Sequence, residues 1–269
     1  MNNIEIARQT LKITEARCYD FNGDTVQLPP LDFDYVEVYS PADGEELLKE
    51  DISELFDGEL CRISVTNKDS FQAAAAFKDP LVMNFANAHV AGGGFKLGAN
   101  AQEEALCRCS TLYASISSSK AGEMYRYNNT HLSRVESDYM LLSPDVCVFR
   151  DNGGELLPQP FHASVITVPA PNKRGAALFA GEKKIAETMT RRIRIMLRIA
   201  AKHGYKALVL GAWGCGAFGN SAGKVSGYFR DVLIGEQYGR CFDEVCFAIY
   251  GSPDGENITA FADTFDNRE

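Results

Sequence analysis

The stretch that decides the fold runs from Asn84 to Glu104 and reads NFANAHVAGGGFKLGANAQEE. An apolar run at 81–83 precedes it, three glycines (92–94) follow a polar turn, and Glu103 and Glu104 open a segment with helical spacing. Glycines let backbone N–H groups approach a ligand closely, and a helix N-terminus behind such a loop favours an anion. The pattern predicts a strand, an anion-binding loop and a helix, with acidic groups placed for chemistry on the bound ligand.

A second glycine-rich loop, GAWGCGAFGN at 211–220, directly follows the apolar run 207–210. A helical segment comes after this loop, with Asn220 or Ser221 as its candidate N-cap. Because two strand–loop–helix units of one sheet can converge at the carboxyl ends of their strands, the two loops are suited to hold a diphosphate from both sides. Neither loop fits GxGxxG or GxxxxGK[ST], which disfavours a dinucleotide dehydrogenase and a P-loop enzyme.

The rest of the chain predicts strands that alternate with helices. The predicted strands are 36–39, 61–66, 81–85, 138–150, 161–168, 207–210 and 244–250, and the predicted helices are 3–17, 42–56, 70–77, 101–117, 181–203, 221–237 and 258–265. Several strands are apolar runs without alternation, which is typical of a central sheet covered on both faces. We therefore predict an α/β fold of three layers, α/β/α, for residues 36–269. Residues 1–35, with a helix and a hairpin around Asn22-Gly23-Asp24, are predicted to form a flank packed on that domain.

Charge and composition exclude several classes of protein. The formal net charge of −9 argues against binding of nucleic acid through an extended basic surface, so no sequence-specific nucleic-acid partner is expected. There is no apolar run of about 18 residues and no signal-peptide pattern, so no membrane association is expected. Eight cysteines without CxxC pairs favour reduced thiols in a cytoplasmic protein. The four histidines lack metal-ligand spacing, and we expect neither a metal nor a cofactor.

Glu103 and Glu104 are adjacent, so on a helix their side chains point about 100° apart and should have different roles. A helix N-terminus lowers the pKa of a carboxyl group, whereas a general acid needs a raised pKa. Burial and a neighbouring like charge act in the raising direction. From these residues alone two interpretations stay open: acid–base chemistry, or a favourable pairing of first-turn acidic residues with the helix dipole.

In these motifs the sequence resembles poly(ADP-ribose) glycohydrolases of the compact microbial type, which are built on a macrodomain. The family signature is GGG, six to eight residues, then QEE, and here Gly92-Gly93-Gly94 is followed by FKLGANA and Gln102-Glu103-Glu104. Phe85-Ala86-Asn87 and GAWGCGAFG match further motifs of the family, and the resemblance covers roughly 61–250. It implies a macrodomain-like fold with a mixed central sheet. It also implies cleavage of the ribose–ribose O-glycosidic bond of poly(ADP-ribose) from chain ends, which releases ADP-ribose.

The resemblance also implies roles for individual residues. Glu104 is implied to be the catalytic acid and base, with Glu103 bound to a hydroxyl of the distal ribose and Asn87 orienting that sugar. The first loop is implied to lie along the diphosphate and distal ribose, and the second to close over the phosphates. The implied substrate-binding residues are Asn87, Gly92, Gly93, Gly94, Phe95, Gln102, Gly214, Cys215, Gly216, Ala217 and Phe218. Residues 67–70 are candidates for contact with adenine.

Two other functions would use the same pocket. One is hydrolysis of mono-ADP-ribose from an ADP-ribosylated protein or another acceptor, and the other is a non-catalytic ADP-ribose-binding module. The intact QEE disfavours the binding module, because binding alone does not require the carboxylate pair. The expected partners are poly(ADP-ribose) or an ADP-ribosylated protein as substrate, and ADP-ribose as product.

Other residues have a structural and a functional interpretation. Cys215 lacks a histidine partner, which disfavours a nucleophilic role, and the single tryptophan, Trp213, is predicted to pack at a strand end in preference to stacking on a base. Tyr125 and Tyr127 are predicted either to fill a loop or to border the cleft. A basic stripe on the helix 181–203 is predicted to be a solvated face in preference to a polymer-binding surface. Its members are Arg191, Arg192, Arg194, Arg198 and Lys202.

Overall fold

The structure, a computed structural model, describes residues 1–56 and 58–265. Its helices are α1 (Asn3–Ala16), α2 (Pro41–Lys49), α3 (Ser70–Ala74), α4 (Gln102–Cys109), α5 (Leu112–Ile116), α6 (Gly122–Thr130), α7 (Glu182–Lys202), α8 (Ala222–Arg230) and α9 (Glu256–Phe265). Its strands are β1 (Cys18–Phe21), β2 (Asp24–Gln27), β3 (Glu37–Tyr39), β4 (Arg62–Thr66), β5 (Leu81–Ala86), β6 (Met140–Arg150), β7 (Leu156–Pro169), β8 (Ala207–Leu210) and β9 (Glu244–Ala248). Positions 57 and 266–269 of the predicted domain lie outside the described residues.

Seven of these strands form one mixed sheet in the order β3-β6-β7-β5-β8-β9-β4. The strands from β7 to β4 are parallel neighbours, whereas β6 is antiparallel to both β7 and β3. The parallel strands therefore end at one edge of the sheet, which we call the carboxyl edge. Because β6 runs the other way, the segment before it also lies at this edge. The predicted mixed central sheet is confirmed.

Both faces of the sheet are buried, which explains the apolar runs. In β5, Leu81 and Met83 pack into one core cluster with residues of α2, α7, α8 and α9. Val82, between them, packs into a second cluster with residues of α1, α3, α4, α5 and α6. Successive strand residues point to opposite faces, so a strand between two helical layers is apolar throughout. The predicted three-layer α/β/α architecture is confirmed.

The predicted helix 101–117 is two helices, because the chain pairs with β6 between them. Ser110 forms an isolated antiparallel bridge with Val148, and the N–H of Thr111 donates to the carbonyl of Cys147 at 3.0 Å. The Ser110 hydroxyl donates to the carbonyl of Leu106 at 2.8 Å. This break is set by a long-range contact, which helical spacing does not reveal.

Other helix boundaries also differ from the prediction. α2 ends at Lys49, earlier than predicted, and α8 continues as a π-helical turn, Asp231–Gly235. The prediction lacks α6, whose sequence GEMYRYNNT has little apolar periodicity. Its inner side buries Met124, Tyr125 and Asn128. No helix in the described ranges is long and apolar enough to cross a membrane.

The N-terminal residues contact the helical layer that contains α4. The hydroxyl of Thr10 donates to the carbonyl of Arg108 at 2.6 Å. Tyr19 of the β1–β2 hairpin donates to the carbonyl of Leu157 at 2.6 Å and its ring lies beside Phe149. The division of the chain after residue 35 stays a prediction.

The basic residues of α7 do not form a solvated stripe. Arg192 is 1% exposed and donates to Asp138 at 2.9 Å, to the carbonyl of Pro169 at 3.0 Å and to the carbonyl of Val135 at 2.6 Å. The other four bind carboxylates, carbonyls or a tyrosine hydroxyl of neighbouring elements: Arg191, Arg194, Arg198 and Lys202. The predicted solvated face is therefore wrong for the buried Arg192, whereas the other four side chains are partly or fully exposed and bound to groups of neighbouring elements that the sequence of one helix does not reveal.

We expect Arg192→Met to lower the free energy of unfolding by about 2–5 kcal/mol, because it leaves two buried carbonyls without this donor and leaves Asp138 with Arg191 alone. The matched control is Arg194→Met, which removes a partly exposed pair with Glu236 and should cost about 1 kcal/mol or less. Urea denaturation of both variants measures the difference. Equal losses of stability in the two variants would contradict the conclusion that the buried hydrogen bonds of Arg192 hold α7 to the carboxyl edge.

Candidate active site

The first glycine-rich loop begins with a side-chain-stabilised turn at the end of β5. The side-chain oxygen of Asn87 accepts hydrogen bonds from the N–H groups of His89 at 2.9 Å and Val90 at 3.0 Å. Its amide nitrogen makes no hydrogen bond within residues 1–56 and 58–265, so it is free to donate to a ligand. Gly92 and Gly93 have φ values of 68° and 53°, which a side chain would strain.

Phe95, which follows the three glycines, is a core residue. Its side chain is buried, with its ring centroid 5.0 Å from that of Tyr113. Of Phe95, therefore, only the backbone could make the predicted contact with substrate. The buried ring also anchors the end of the loop to α5.

Gln102 joins the first turn of α4 to β5. Its carbonyl oxygen accepts from the N–H of Phe85 at 2.9 Å, and its amide nitrogen donates to the carbonyl of Met83 at 2.8 Å and to the Ser70 hydroxyl at 3.0 Å. Both ends of this side chain are thus bonded to protein. Its predicted role in substrate binding stays a prediction, and the geometry gives it a role in positioning α4.

Glu103 is almost completely buried between the glycine loop and β5. One carboxylate oxygen accepts from the N–H of Asn87 at 2.8 Å, and the other accepts from the side-chain amide of Asn84 at 3.3 Å. Burial raises the pKa of Glu103 to about 8. The hydrogen bonds from Asn87 and Asn84 oppose this rise, and the neighbouring charge of Glu104 adds to it.

Glu104 reaches the same loop from the next position of α4. One oxygen accepts from the N–H of Gly94 at 2.9 Å, and the other accepts from the N–H of Ala101 at 3.1 Å. A Cβ atom at Gly93 would lie 2.5 Å from a Glu104 oxygen and 3.4 Å from a Glu103 oxygen. Both carboxylates therefore approach the same glycine, and only a glycine fits there.

The second glycine-rich loop is held by Asn220. The buried amide of Asn220 donates to the carbonyls of Pro171 at 2.9 Å and Gly214 at 3.1 Å. The N-cap of α8 is Ser221, so of the two candidates Asn220 has a different role. A Cβ at Gly214 would meet the Asn220 amide at 2.7 Å and Ala170 at 2.9 Å, which makes glycine necessary.

The tip of this loop presents free backbone donors. Gly216 and Ala217 are exposed and Phe218 is half-buried. Within the described ranges, the N–H groups of these three consecutive residues have no acceptor. Successive free N–H groups form a concave site suited to an anion.

A cleft of about 490 Å³ lies between the N-terminal part of α4 and the second loop, and neither Glu103, Glu104 nor the glycines 92–94 are among its lining residues. This volume is within the range of small-molecule and cofactor sites. It is lined by Phe85, Ala101 and Gln102 on the first side and by Gly214, Gly216, Ala217 and Phe218 on the second. Further lining residues are Asp69, Ser70, Asn152, Ile249, Tyr250 and Asn257.

The structure places two of the adenine candidates in the cleft lining and one elsewhere. Asp69 and Ser70 line the cleft. Asn67 instead exchanges hydrogen bonds of 3.1 Å with the backbone of Gly251, which ties the end of β4 to the segment after β9. Asn152, Tyr250 and Asn257 line the cleft without having been predicted, because they lie in two loops and at the start of α9, where the sequence has no recognisable motif.

Asn84 is the main site residue that the sequence analysis missed. It lies fully buried in β5 and donates to Glu103 and, at 3.1 Å, to the Thr167 hydroxyl. Its side-chain oxygen has no hydrogen-bond partner. A polar residue within the apolar run LVMNFA was the signal that could have identified it.

The structure shows the surroundings of the four residues, Trp213, Cys215, Tyr125 and Tyr127, for which the sequence allowed a structural or a functional role. Trp213 is fully buried, its N–H donates to the carbonyl of Val168 at 3.0 Å, and its predicted packing role is confirmed. Burial raises the pKa of the Cys215 thiol to about 12, which is unfavourable for a nucleophile. Tyr125 is a core residue of α6, and Tyr127 stacks on His131 at 4.0 Å, so neither fills a loop and neither lines the cleft.

We expect Glu103→Gln to increase stability, and to do so more strongly as pH rises. The folded chain retains the Glu103 proton up to about pH 8, whereas the unfolded chain releases it near the ordinary value of 4.5. Between these values the folded state binds more protons, so the stability of the unmodified chain falls as pH rises, and the variant lacks this loss. Thermal unfolding from about pH 5 to about pH 8 measures the difference.

The control for this experiment is Glu46→Gln, which changes an exposed carboxylate of α2. Its effect on unfolding should show no comparable growth with pH. A constant difference between Glu103→Gln and the unmodified chain over this range would contradict the burial of an uncompensated Glu103 charge.

Comparison with known proteins identifies a family and similar structures. Residues 7–151, more than half of the chain, match the family model described as the catalytic domain of microbial-type PARG. This match begins inside the N-terminal segment, where the sequence analysis found no motif. No sequence among curated proteins is significantly similar to the chain.

Solved structures of two bacterial enzymes resemble the whole fold. Poly(ADP-ribose) glycohydrolase from Thermomonospora curvata has 34% sequence identity and a TM-score of 0.89, covering 98% of this chain and 99% of that chain. The same enzyme bound to the inhibitor ADP-HPD has a TM-score of 0.83 at 33% identity, with the same coverage. The Deinococcus radiodurans enzyme in complex with ADP-ribose has 35% identity and a TM-score of 0.80, covering 90% of this chain and 98% of that chain. The chain therefore belongs to the family of microbial-type poly(ADP-ribose) glycohydrolases.

Proposed function

We propose that this chain cleaves the ribose–ribose O-glycosidic bond of poly(ADP-ribose) with Glu104 as acid and base, and that it releases ADP-ribose from chain ends. The observation that carries the proposal is the convergence of Glu103 and Glu104 on Gly93, at the start of a helix whose next residues line a cleft of about 490 Å³ opposite the second glycine-rich loop. The Deinococcus radiodurans relative contains ADP-ribose and the Thermomonospora curvata relative contains ADP-HPD, which supports ADP-ribose as the unit bound here.

The proposed ligand position follows from the donors that are free. The diphosphate lies against the unpaired N–H groups of Gly216, Ala217 and Phe218. The distal ribose lies over Gly93, within reach of the Glu103 carboxyl and the free amide nitrogen of Asn87. The adenosine then occupies the part of the cleft lined by Asp69, Tyr250 and their neighbours.

The proposed reaction breaks the bond between the anomeric carbon of the distal ribose and the oxygen of the next unit. Protonated Glu104 gives its proton to the departing oxygen while positive charge develops on the distal ribose. The ionised Glu104 then takes a proton from a water molecule, whose oxygen bonds to the anomeric carbon. The diphosphate of the substrate stabilises the positive charge. Each proton and each electron pair is accounted for by Glu104, water and the departing hydroxyl.

The geometry fits a single carboxyl group that acts first as acid and then as base better than two carboxyl groups on opposite sides of the scissile bond. Glycosidases that use two carboxylates place them on either side of the scissile bond, about 5 Å or more apart. Here Glu103 and Glu104 both contact the space beside Gly93, from consecutive positions of one helix. Glu103, which is more deeply buried and bonded to Asn87 and Asn84, is suited to hold a ribose hydroxyl.

We expect Glu104→Gln to lower the turnover of poly(ADP-ribose) by about 100- to 10,000-fold, the usual contribution of general acid–base catalysis. The glutamine oxygen still accepts from Gly94, so the affinity for ADP-ribose should stay within about threefold. Release of ADP-ribose from polymer and calorimetric titration with ADP-ribose measure the two quantities. Glu46→Gln serves as the control for the change of charge, and near-normal release by Glu104→Gln would refute the assignment.

We expect Gly93→Ala to abolish most turnover, because its Cβ would lie 2.5 Å from the carboxylate of Glu104 and displace it. A displacement of about 1 Å in an active site can cost about 100-fold in rate. The control is Gly204→Ala, which also places alanine at a positive φ but has open space around the added Cβ. Both variants should lose stability in thermal unfolding through the strained φ, and only Gly93→Ala should lose turnover.

The distribution of early products distinguishes the functions that share this pocket. Monomeric ADP-ribose from the first moments of the reaction supports release from chain ends, whereas an initial mixture of oligomers indicates internal cleavage. Release from a mono-ADP-ribosylated protein without release from polymer would favour the mono-ADP-ribosyl hydrolase. Binding without any product would favour the binding module.

A further inference from the structure

Two surface segments lie beside the glycosidic site on the side away from the cleft. The order of strands places β7 and β6 on one side of β5, and β8 and β9 on the other. The loop and cleft residues after β8 and β9 lie on the second side, where the proposed adenosine and diphosphate bind. Residues 171–180 follow β7 and residues 131–137 precede β6, so both segments lie at the carboxyl edge on the first side.

These two segments contact both glycine-rich loops and each other. The N–H of Lys173 donates to the carbonyl of Phe218 at 2.9 Å in the second loop. Glu136 lies 4.0 Å from His89 in the first loop. Arg134 donates to the carbonyl of Phe179 at 3.1 Å, which joins the two segments. They therefore border the site where the substrate bond would be broken.

The surface of these segments is unusually apolar. Leu132 and Phe179 are 102% and 78% exposed, and Leu178 is 61% exposed. Large apolar side chains that cluster at the surface beside a site are typical of ligand or partner contact. We call the surface formed by Leu132, Arg134, Arg174, Leu178 and Phe179 the leaving-side rim.

The same surface is locally basic on an acidic protein. Residues 131–137 and 171–180 together contain three Lys or Arg side chains and one acidic side chain, whereas the whole chain has a net charge of −9. Neither Arg134 nor Arg174 has a carboxylate partner within the part of the chain that the structure describes. Most arginines of α7, by contrast, bind carboxylates. The rim thus combines an exposed aromatic ring with two guanidinium groups that have no carboxylate partner among the described residues.

We propose that the leaving-side rim binds the ADP-ribose unit that departs when the glycosidic bond is cleaved, with its adenine on Phe179 and its diphosphate near Arg134 and Arg174. The proposal rests on the function proposed above. Each unit of the polymer has one base that can stack and two phosphates that need positive charge. Aromatic rings and arginines in a groove are the usual means of holding such a chain without reading its sequence. The negative charge of the protein elsewhere would repel the polymer, so local cations are needed where it leaves the cleft.

The test compares two substrates that differ only beyond the scissile bond. One is poly(ADP-ribose), and the other is an ADP-ribosyl O-glycoside of a small alcohol, which has no second unit. We expect Phe179→Ala to lower kcat/KM for the polymer by about fivefold or more, mostly through KM, because stacking of one base is lost. Arg134→Gln should make the salt dependence of polymer cleavage less steep by about one in the log–log slope. Turnover of the small glycoside should change by less than about twofold in either variant, since its leaving group does not reach the rim.

The control is Arg62→Ala, which removes an exposed cation far from the rim. Arg62 is the first residue of β4, the outermost strand on the other side of β5, so it lies away from the carboxyl edge. This variant should leave the salt dependence of polymer cleavage unchanged. Equal losses on polymer and small glycoside in the rim variants would overturn the proposal, and so would unchanged kinetics on polymer. A selective loss on mono-ADP-ribosylated protein would also overturn it in favour of a protein acceptor. Failure of the unmodified enzyme to cleave polymer would refute the proposed function itself, a result separate from all of these.

Discussion

The fold and the site depend on one turn of helix in which three consecutive side chains fasten α4 to the strand and loop before it. The Gln102 side chain makes hydrogen bonds to the backbone of β5, as a neighbouring strand would. The Glu103 carboxylate accepts from the N–H of Asn87, and the Glu104 carboxylate accepts from the N–H of Gly94. Each side chain thus fixes a different part of the same 21-residue stretch, 84–104. A change in register of one residue would detach all three. In this chain the seven residues between GGG and QEE bring these groups together.

The same constraint explains why glycine is needed at two positions and polar residues at two others. Gly93 and Gly214 are the places where a carboxylate and an amide, respectively, lie too close to admit a Cβ. Asn87 and Asn220 supply the bonds that hold the two loops in these shapes. The backbone N–H groups left unpaired in the second loop are therefore presented by a rigid support, and an anion can bind without the loop having to be ordered first.

The sequence predicted the layered sheet, both loops and the carboxylate pair, because each depends on local spacing or on apolar runs that strand burial requires. It did not predict features that depend on partners distant in the chain. Ser110 leaves its helix to pair with β6, and the buried Arg192 donates to carbonyls at the end of β7 and in the segment before β6. α6 is held by tertiary packing of Met124 and Tyr125, without the periodicity that would have marked it. Gln102 matched a motif, but only the structure reveals that both ends of its amide bind protein.

A helix N-terminus lowers the pKa of a carboxyl group, so the sequence did not explain how an acid at this position retains a proton. In the structure this question concerns Glu103 and Glu104 together. Burial places the raised pKa on Glu103, so near neutral pH the pair carries less than two negative charges. A substrate with a diphosphate would bring further negative charge towards this pair. Under the proposed mechanism, that charge adds to the repulsion and favours a proton on the pair when the polymer is bound. Burial and the bound polymer would then act in the same direction on the acid that the reaction needs.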